Sequence, residues 1–286
     1  MDFYQKDFDP TFILMNNTPI EDFEGFSSAD MNYLVYDTFS TDSPFQFKKN
    51  IPDDILNQIP FLLHIEYLLK KINDLGELKL TAKGFLPTPL VKEIYDLGLI
   101  KDYAIEKGIT KLYAETSSQP INLTRMIMEL AGFTKKRYNK LTLTKTWRDK
   151  LLKKNRQDIF IHTFSTFAMK FNWGYFDLYS SQATGTVGFA FSLFLLSKYG
   201  DNERPVSFYS EKYLRAFPSL IELFKEDPWV TDINRSFNSC YSIRTFDRFL
   251  DYFNLIKIKS DGGQYDDSKK VIKKSAIFDQ IITFEN

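Results

Sequence analysis

Behind Pro60, Leu62, Ile65, Leu69 and Ile72 recur at helical spacing, so one stripe of a helix is buried; Gly76 follows as a left-handed terminator. Leu78-Lys79-Leu80-Thr81 alternates as a short strand would, and Gly84 follows. Pro89 opens a second helix with Leu90, Ile94 and Leu97 inward and Gly98 at its end. A third helix is predicted over Lys101–Lys107, stopping at Gly108, and AETSSQP (Ala114–Pro120) reads as a polar loop. Asn122–Ala131 is helical and closed by Gly132. Phe133–Arg137 and Lys140–Thr144 then read as two strands around Tyr138-Asn139, and Thr144 caps a helix running to about Lys154. Phe160, Phe164, Phe167 and Phe171 fall on one face of a further helix ended by Gly174, a pattern that marks core.

Ser181–Tyr199 is apolar around most of its circumference and predicts a central helix capped by Gly200, with Gly185 and Gly188 inside it marking close packing or a kink. DNERPV (Asp201–Val206) reads as a surface loop and a boundary. Helices are expected near Ser210–Phe217, Pro218–Glu226 and Ser242–Phe253, followed by two strand-like segments. Ahead of all this, Met1 to about Lys49 is broken by Pro10, Pro19, Gly25 and Pro44. A short helix is predicted there at Ser27–Tyr36, with Ser27 or Ser28 as N-cap, and Thr38–Asp54 reads as loop. The expected organisation is an acidic irregular leader (1–54), a helical region (55–156), a central aromatic helical layer (157–200) and a C-terminal unit (201–286).

Two stretches share one pattern. Asn122–Lys145 (NLTRMIMELAGFTKKRYNKLTLTK) and Tyr241–Ser275 each give a short helix with an arginine in its first turn, then a residue tolerant of left-handed backbone, Gly132 or Asn254. Each continues as strand, polar tip, strand; the second tip, Ser260–Ser268, carries Gly262-Gly263. Helix, tight turn, strand, wing, strand resembles the second half of a winged-helix unit. Upstream helices would complete each unit: Pro89–Leu97 with Lys101–Lys107, and Ser210–Phe217 with Pro218–Glu226. The segments LKLTAKG and LTLTKTWRDKLL are also similar to segments of bacterial proteins with no assigned activity. The expected fold is therefore mainly α with small β-wings, winged-helix-like units around an aromatic helical core.

The winged-helix resemblance implies that Asn122, Thr124, Arg125 and Met128 project from a reading helix, Arg125 towards guanine and Asn122 towards adenine. It implies that Lys135, Lys136, Arg137 and Lys140 lie on the wing against phosphates, with Lys145 and Arg148 extending the same basic stretch. In the second unit the matching positions are Ser242, Arg244, Thr245 and Arg248, with Lys269, Lys270, Lys273 and Lys274 on the wing. There the acids Asp247, Asp251, Asp261, Asp266 and Asp267 would repel phosphate, which suits a protein-interaction or dimerisation module.

Charge sharpens this picture. The 286 residues hold 37 Lys or Arg and 37 Asp or Glu, so no whole-molecule field draws nucleic acid or an anionic membrane. The distribution is uneven: Met1–Pro60 has 3 lysines against 11 acids, whereas Lys135–Arg156 has 10 basic residues against Asp149 alone. Two solvated or mutually paired faces would explain it; so would a basic binding surface. The 28 Phe and 16 Tyr supply ample core. A lone cysteine, Cys240, excludes an internal disulfide and fits a reducing compartment. With no signal-like start in MDFYQKDFDP, the expectation is a cytoplasmic, bacterial-type protein. The longest apolar stretch, Ala183–Leu196, is shorter than the ~20 residues that span a bilayer, so no membrane partner is expected.

No phosphate-loop, dinucleotide, HExxH or GxSxG motif occurs, and the chain lacks a cysteine pair for zinc. Hence no cofactor, metal or catalytic residue is assigned. His162 lies four residues after Asp158 and His64 two before Glu66; both read as core histidines. Asp53-Asp54 and Asp266-Asp267 read as solvated loop acids. The leading expectation is binding of double-stranded DNA through Asn122–Arg156. A scaffold with a protein partner or a homodimer is the alternative, and an enzyme with a composite inter-domain site the third. A continuous basic face would favour DNA, and an acidic leader folded over that face would favour autoinhibition or a protein partner.

Overall fold

The computed structural model describes residues 14–152, 155–261 and 267–285. The first thirteen residues of the acidic leader, Lys153-Lys154, and residues 262–266 of the second wing tip, with Gly262-Gly263 and Asp266, lie outside them. The chain is mainly helical, with three small antiparallel sheets among the described residues.

The leader is more ordered than its punctuation suggested. Helix α1 (Ser28–Tyr36) starts at Ser27, whose hydroxyl accepts from the Asp30 amide while the Asp30 carboxylate accepts from the Ser27 amide. Strand β1 (Phe45–Phe47) pairs with the last strand of the chain, in register Phe45↔Phe284 and Phe47↔Ile282. Phe26, Met31, Leu34, Phe45 and Ile51 enter the core, so the described part of the leader is built into the molecule.

Helix α2 (Pro60–Leu75) buries the expected stripe, and Gly76 follows at φ 75°. Strand β2 is Leu78–Lys79 and helix α3 is Thr88–Asp96. Within α3, Leu90 and Ile94 point inward as expected, joined by Val91 and Tyr95, whereas Leu97 just past its end is exposed. The helix expected at Lys101–Lys107 is a single turn, Tyr103–Glu106, capped by the Asp102 carboxylate. Helix α4 (Gln119–Leu130) ends before Gly132 (φ 67°), and a hairpin of β3 (Thr134–Arg137) and β4 (Lys140–Leu143) follows. The sheet order is β2-β4-β3. Thr144, expected as a cap for helix α5 (Lys145–Leu152), instead turns its hydroxyl to the Gly132 carbonyl.

Helix α6 (Arg156–Met169) carries Phe160, Phe164 and Phe167 into the core; Phe171 is buried just past its end. The Phe164 ring lies 5.2 Å from Phe47, 4.9 Å from Phe249 and 5.0 Å from Phe253, so the aromatic stripe joins leader and C-terminal segments. Gly174 sits in a short 3-10 turn beyond the helix.

The long helix expected from Ser181 is shorter. Gly185 (φ 85°) and Gly188 (φ 65°) hold left-handed backbone, so residues 181–188 form turns and helix α7 is Phe189–Tyr199. Glycine's freedom, which allowed a kink inside a helix, here sets the helix start. The DNERPV segment likewise is structured: β5 (Arg204–Pro205) joins a sheet and helix α8 (Val206–Ala216) begins at once. Helix α9 (Ile233–Tyr241), which the polar sequence around it concealed, leads into a π-helical segment, Ser242–Leu250. Strands β6 (Ile256–Ser260) and β7 (Lys270–Lys274) pair with β5 in the order β5-β7-β6, and β8 (Ile282–Phe284) returns to β1.

Both three-stranded sheets are thus built alike: a short strand after a long helix, further helices, then a hairpin whose second strand lies in the middle. One apolar cluster runs through both halves and the leader. No helix among the described residues is long and apolar enough to cross a membrane.

Candidate nucleic-acid interface

The β3–β4 hairpin closes with Arg137↔Lys140 as its last pair, leaving Tyr138 (φ 49°) and Asn139 (φ 54°) as a two-residue tip. Register sorts the side chains. Thr134 and Lys136 share a face with buried Leu141 and Leu143, opposite which they pair. Lys135, Arg137, Lys140 and Thr142 take the outer face, and the pairing of Lys79 with Lys140 extends that face across β2. With Arg148 of α5, Tyr138 and Glu77, these residues line an open groove of about 420 Å³. Lys140 is paired with Glu77 at 2.6 Å. Lys135, Arg137, Lys145 and Arg148 have no carboxylate partner among the described residues. Lys136 stands apart, its amine 3.3 Å from the Gly84 carbonyl.

The residues expected to read bases are elsewhere. Asn122, Thr124, Arg125 and Met128 are all buried, because α4 packs against α2, α3, α6 and β3. The organising group is Glu115, fully buried in the polar loop Ala114–Pro120. Its carboxylate accepts from Arg125 Nε at 2.7 Å, from Asn122 Nδ2 at 2.5 Å and from the Leu86 amide at 2.5 Å. Arg125 also contacts Glu129. Burial opposes the Arg125 charge, but Glu115 and Glu129 outweigh it and raise its pKa. Thr124 donates to the Pro120 carbonyl at 2.8 Å. The projection of Asn122, Thr124 and Arg125 towards bases is therefore corrected: they hold the first half together. Lys135, Lys136, Arg137, Lys145 and Arg148 are exposed, and Lys140 is half-buried.

In the second half Ser242, Arg244 and Thr245 are buried as well, and Arg248 is half-buried. Asp177 bridges the two arginines, 2.7 Å from Arg244 Nη2 and 2.8 Å from Arg248 Nη1; burial opposes its charge, but the two guanidiniums hold its pKa down. Lys270 is buried between Asp247 (2.7 Å) and Asp267 (2.8 Å), and Lys274 lies 3.0 Å from Asp201 and 2.8 Å from Asp279. Lys269 and Lys273 are exposed.

Two adjoining hollows of about 280 and 200 Å³ separate the halves and share Gln119, Asp247 and Tyr252. Burial pushes Asp247 up to about 6 despite Lys270. The same desolvation would lift Asp251 to about 6, but its exposed carboxylate meets water at the cleft mouth, which offsets much of that effect. The cations that line the hollows, Arg248 and Lys101, pair with Asp177 and Glu106, and Lys270 behind them engages Asp247. Among the described residues no His, Cys, Asp and Glu cluster could hold a metal.

His64 is a core group, as expected, whereas His162 is half-buried. His162 donates through Nε2 to the Ala131 carbonyl at 2.7 Å, and burial lowers His64 to about 4. Cys240 is buried and its thiol is pushed up to about 12, the thiol form that does not attack electrophiles. The described leader leaves the basic groove uncovered: Glu24 pairs with Lys198 and Lys212, and Asp53 with Arg156. No family model, curated protein or solved structure matches this chain.

Proposed function

We propose that this protein binds nucleic acid, and that its first hairpin is a wing that grips phosphates. The observation that carries the reading is an open groove lined by Lys135, Arg137, Lys140 and Arg148, with Glu77 the one acid among its lining residues. Each half also carries upstream helices, a helix, a turn and a two-stranded hairpin in the order that the resemblance implies, which supports a winged-helix-like architecture. With Asn122 and Arg125 buried, base-edge reading from α4 drops out of the proposal. What remains is backbone binding with little sequence preference.

Salt dependence tests it. Four phosphate contacts on duplex DNA give a log–log slope of about −3.6, so affinity falls roughly 100-fold between about 50 and about 200 mM salt. Labelled nucleic acid of mixed sequence, titrated with protein at both salts, reports the slope. Changing Lys135, Arg137, Lys140 and Arg148 to Ala should remove most of it, whereas Lys136→Ala, on the opposite face, should leave it nearly intact. A folded protein that binds nothing at the lower salt sinks the reading, and the basic groove is then a solvated face or a protein contact.

A further inference from the structure

We infer that the groove takes single-stranded nucleic acid and that Tyr138 stacks on one of its bases, an inference that rests on the phosphate-binding reading above. Tyr138 is 83% exposed at the tip of the hairpin, so the ring contributes little to the core. It also occupies a left-handed position, φ 49°, that a glycine or asparagine adopts at less cost than a bulky side chain. A residue that is both unpacked and conformationally unfavourable needs a reason outside folding. Its neighbours supply one. The ring lines the same groove as Lys135, Arg137, Lys140 and Arg148, and the Arg137 guanidinium carbon lies 5.0 Å from its centroid. An aromatic face beside a row of cations is the arrangement that holds a strand by its phosphates and one base by stacking.

The first half offers an uninterrupted duplex no exposed reading helix. The major groove, about 12 Å wide, is read by an inserted helix or ribbon. In α4 Pro120–Arg125, Ile127 and Met128 are buried, and only Leu130 is exposed. That helix cannot leave the core to enter a groove. The bases of a duplex are also stacked on each other and closed to the Tyr138 ring, whereas an unpaired strand offers them freely.

A thymine-rich oligonucleotide carrying one 2-aminopurine, and a duplex of the same length, would be titrated with the wild-type protein, Tyr138→Ala and Tyr138→Phe. The wild type should bind the single strand more tightly than the duplex and quench the 2-aminopurine. Tyr138→Ala should abolish the quenching and weaken single-strand binding by about 5-fold or more. Its salt slope should stay unchanged, because no charge is lost. Tyr138→Phe keeps the aromatic face and should behave as the wild type. Binding of both nucleic acids with duplex preferred, or with Tyr138→Ala indistinguishable from wild type, overturns the inference and leaves the phosphate-binding reading standing. Binding of neither removes both.

Discussion

Arg125 and Arg137 are both arginines of the first half, and replacing each with methionine separates a structural role from a binding one. Arg125 is one-tenth exposed and sits on Glu115, which is fully buried, at 2.7 Å. Removing one partner of such a pair strands the other charge and costs about 3–5 kcal/mol. The low end applies, since Asn122 and the Leu86 amide still donate to Glu115. Methionine retains most of the side-chain volume, so the loss reports charge and hydrogen bonds more than a cavity. At about 2–4 °C per kcal/mol for a chain somewhat shorter than this one, Arg125→Met should melt about 6–12 °C below the wild type. Arg137 is exposed and without a carboxylate partner among the described residues, so Arg137→Met should shift stability by less than about 0.5 kcal/mol. It should still weaken nucleic-acid binding. Circular dichroism melts at pH 7, with anisotropy titrations of the same proteins, give both quantities. An Arg125→Met protein that melts within about 1 °C of the wild type but loses binding would refute the burial argument and return Arg125 to the surface.

Two further outcomes concern stability. Burial would raise the Glu24 pKa, but Lys212 (2.5 Å), Tyr199 and Lys198 (3.1 Å) more than offset this and lower it from 4.5 to about 2. Its contribution is therefore fully present above about pH 4.5 and is lost as pH falls towards about 2. Between pH 5 and pH 2.5 the wild type should lose about 2 kcal/mol that Glu24→Gln does not, read from urea midpoints at those two pH values; parallel losses would refute the assignment. Gly188 and Gly108 share left-handed backbone, φ 65° and 70°, but a Cβ at Gly188 would run into the Phe217 ring and one at Gly108 would meet nothing. Gly108→Ala should cost about 1 kcal/mol and Gly188→Ala about 1–3 kcal/mol more; equal costs would show that Phe217 moves freely aside.

What could be read from sequence was whatever local pattern decides. The α2 stripe, the Ser27 cap and the hairpin around Tyr138-Asn139 depend on residues within a few positions of one another, and they stand where periodicity and turn chemistry put them. The position of Arg125 depends on Glu115, ten residues away in a loop whose composition is that of an exposed one. A polar residue in a helix looks solvent-facing until its buried partner is known, and nothing in AETSSQP marks Glu115 as that partner. The same reason hid β1–β8, a pairing between opposite ends of the described chain. Gly185 and Gly188 had two physical uses, kinking a helix or starting one, and apolar neighbours do not choose between them.

The two halves repeat one topology and differ in what their wings' charges are doing. In the second hairpin Lys270 is enclosed by Asp247 and Asp267, Lys274 by Asp201 and Asp279, and Lys259 is paired with Glu203. A phosphate arriving at any of these three lysines would have to displace carboxylates already in place, although Lys269 and Lys273 of the same hairpin are exposed. In the first hairpin Lys135, Arg137 and Arg148 face an open groove, and the one acid on its rim, Glu77, engages Lys140 in a pair that is about half exposed and worth at most about 1 kcal/mol. An incoming phosphate can replace Glu77 at little cost. The zero net charge of the chain conceals this asymmetry, because the acids that balance the first wing lie elsewhere: Asp247 and Asp267 lock the second hairpin, and Glu24 ties the leader to Lys198 and Lys212. A neutral chain can thus present a basic groove, and on the phosphate-binding proposal the first wing is where affinity is concentrated.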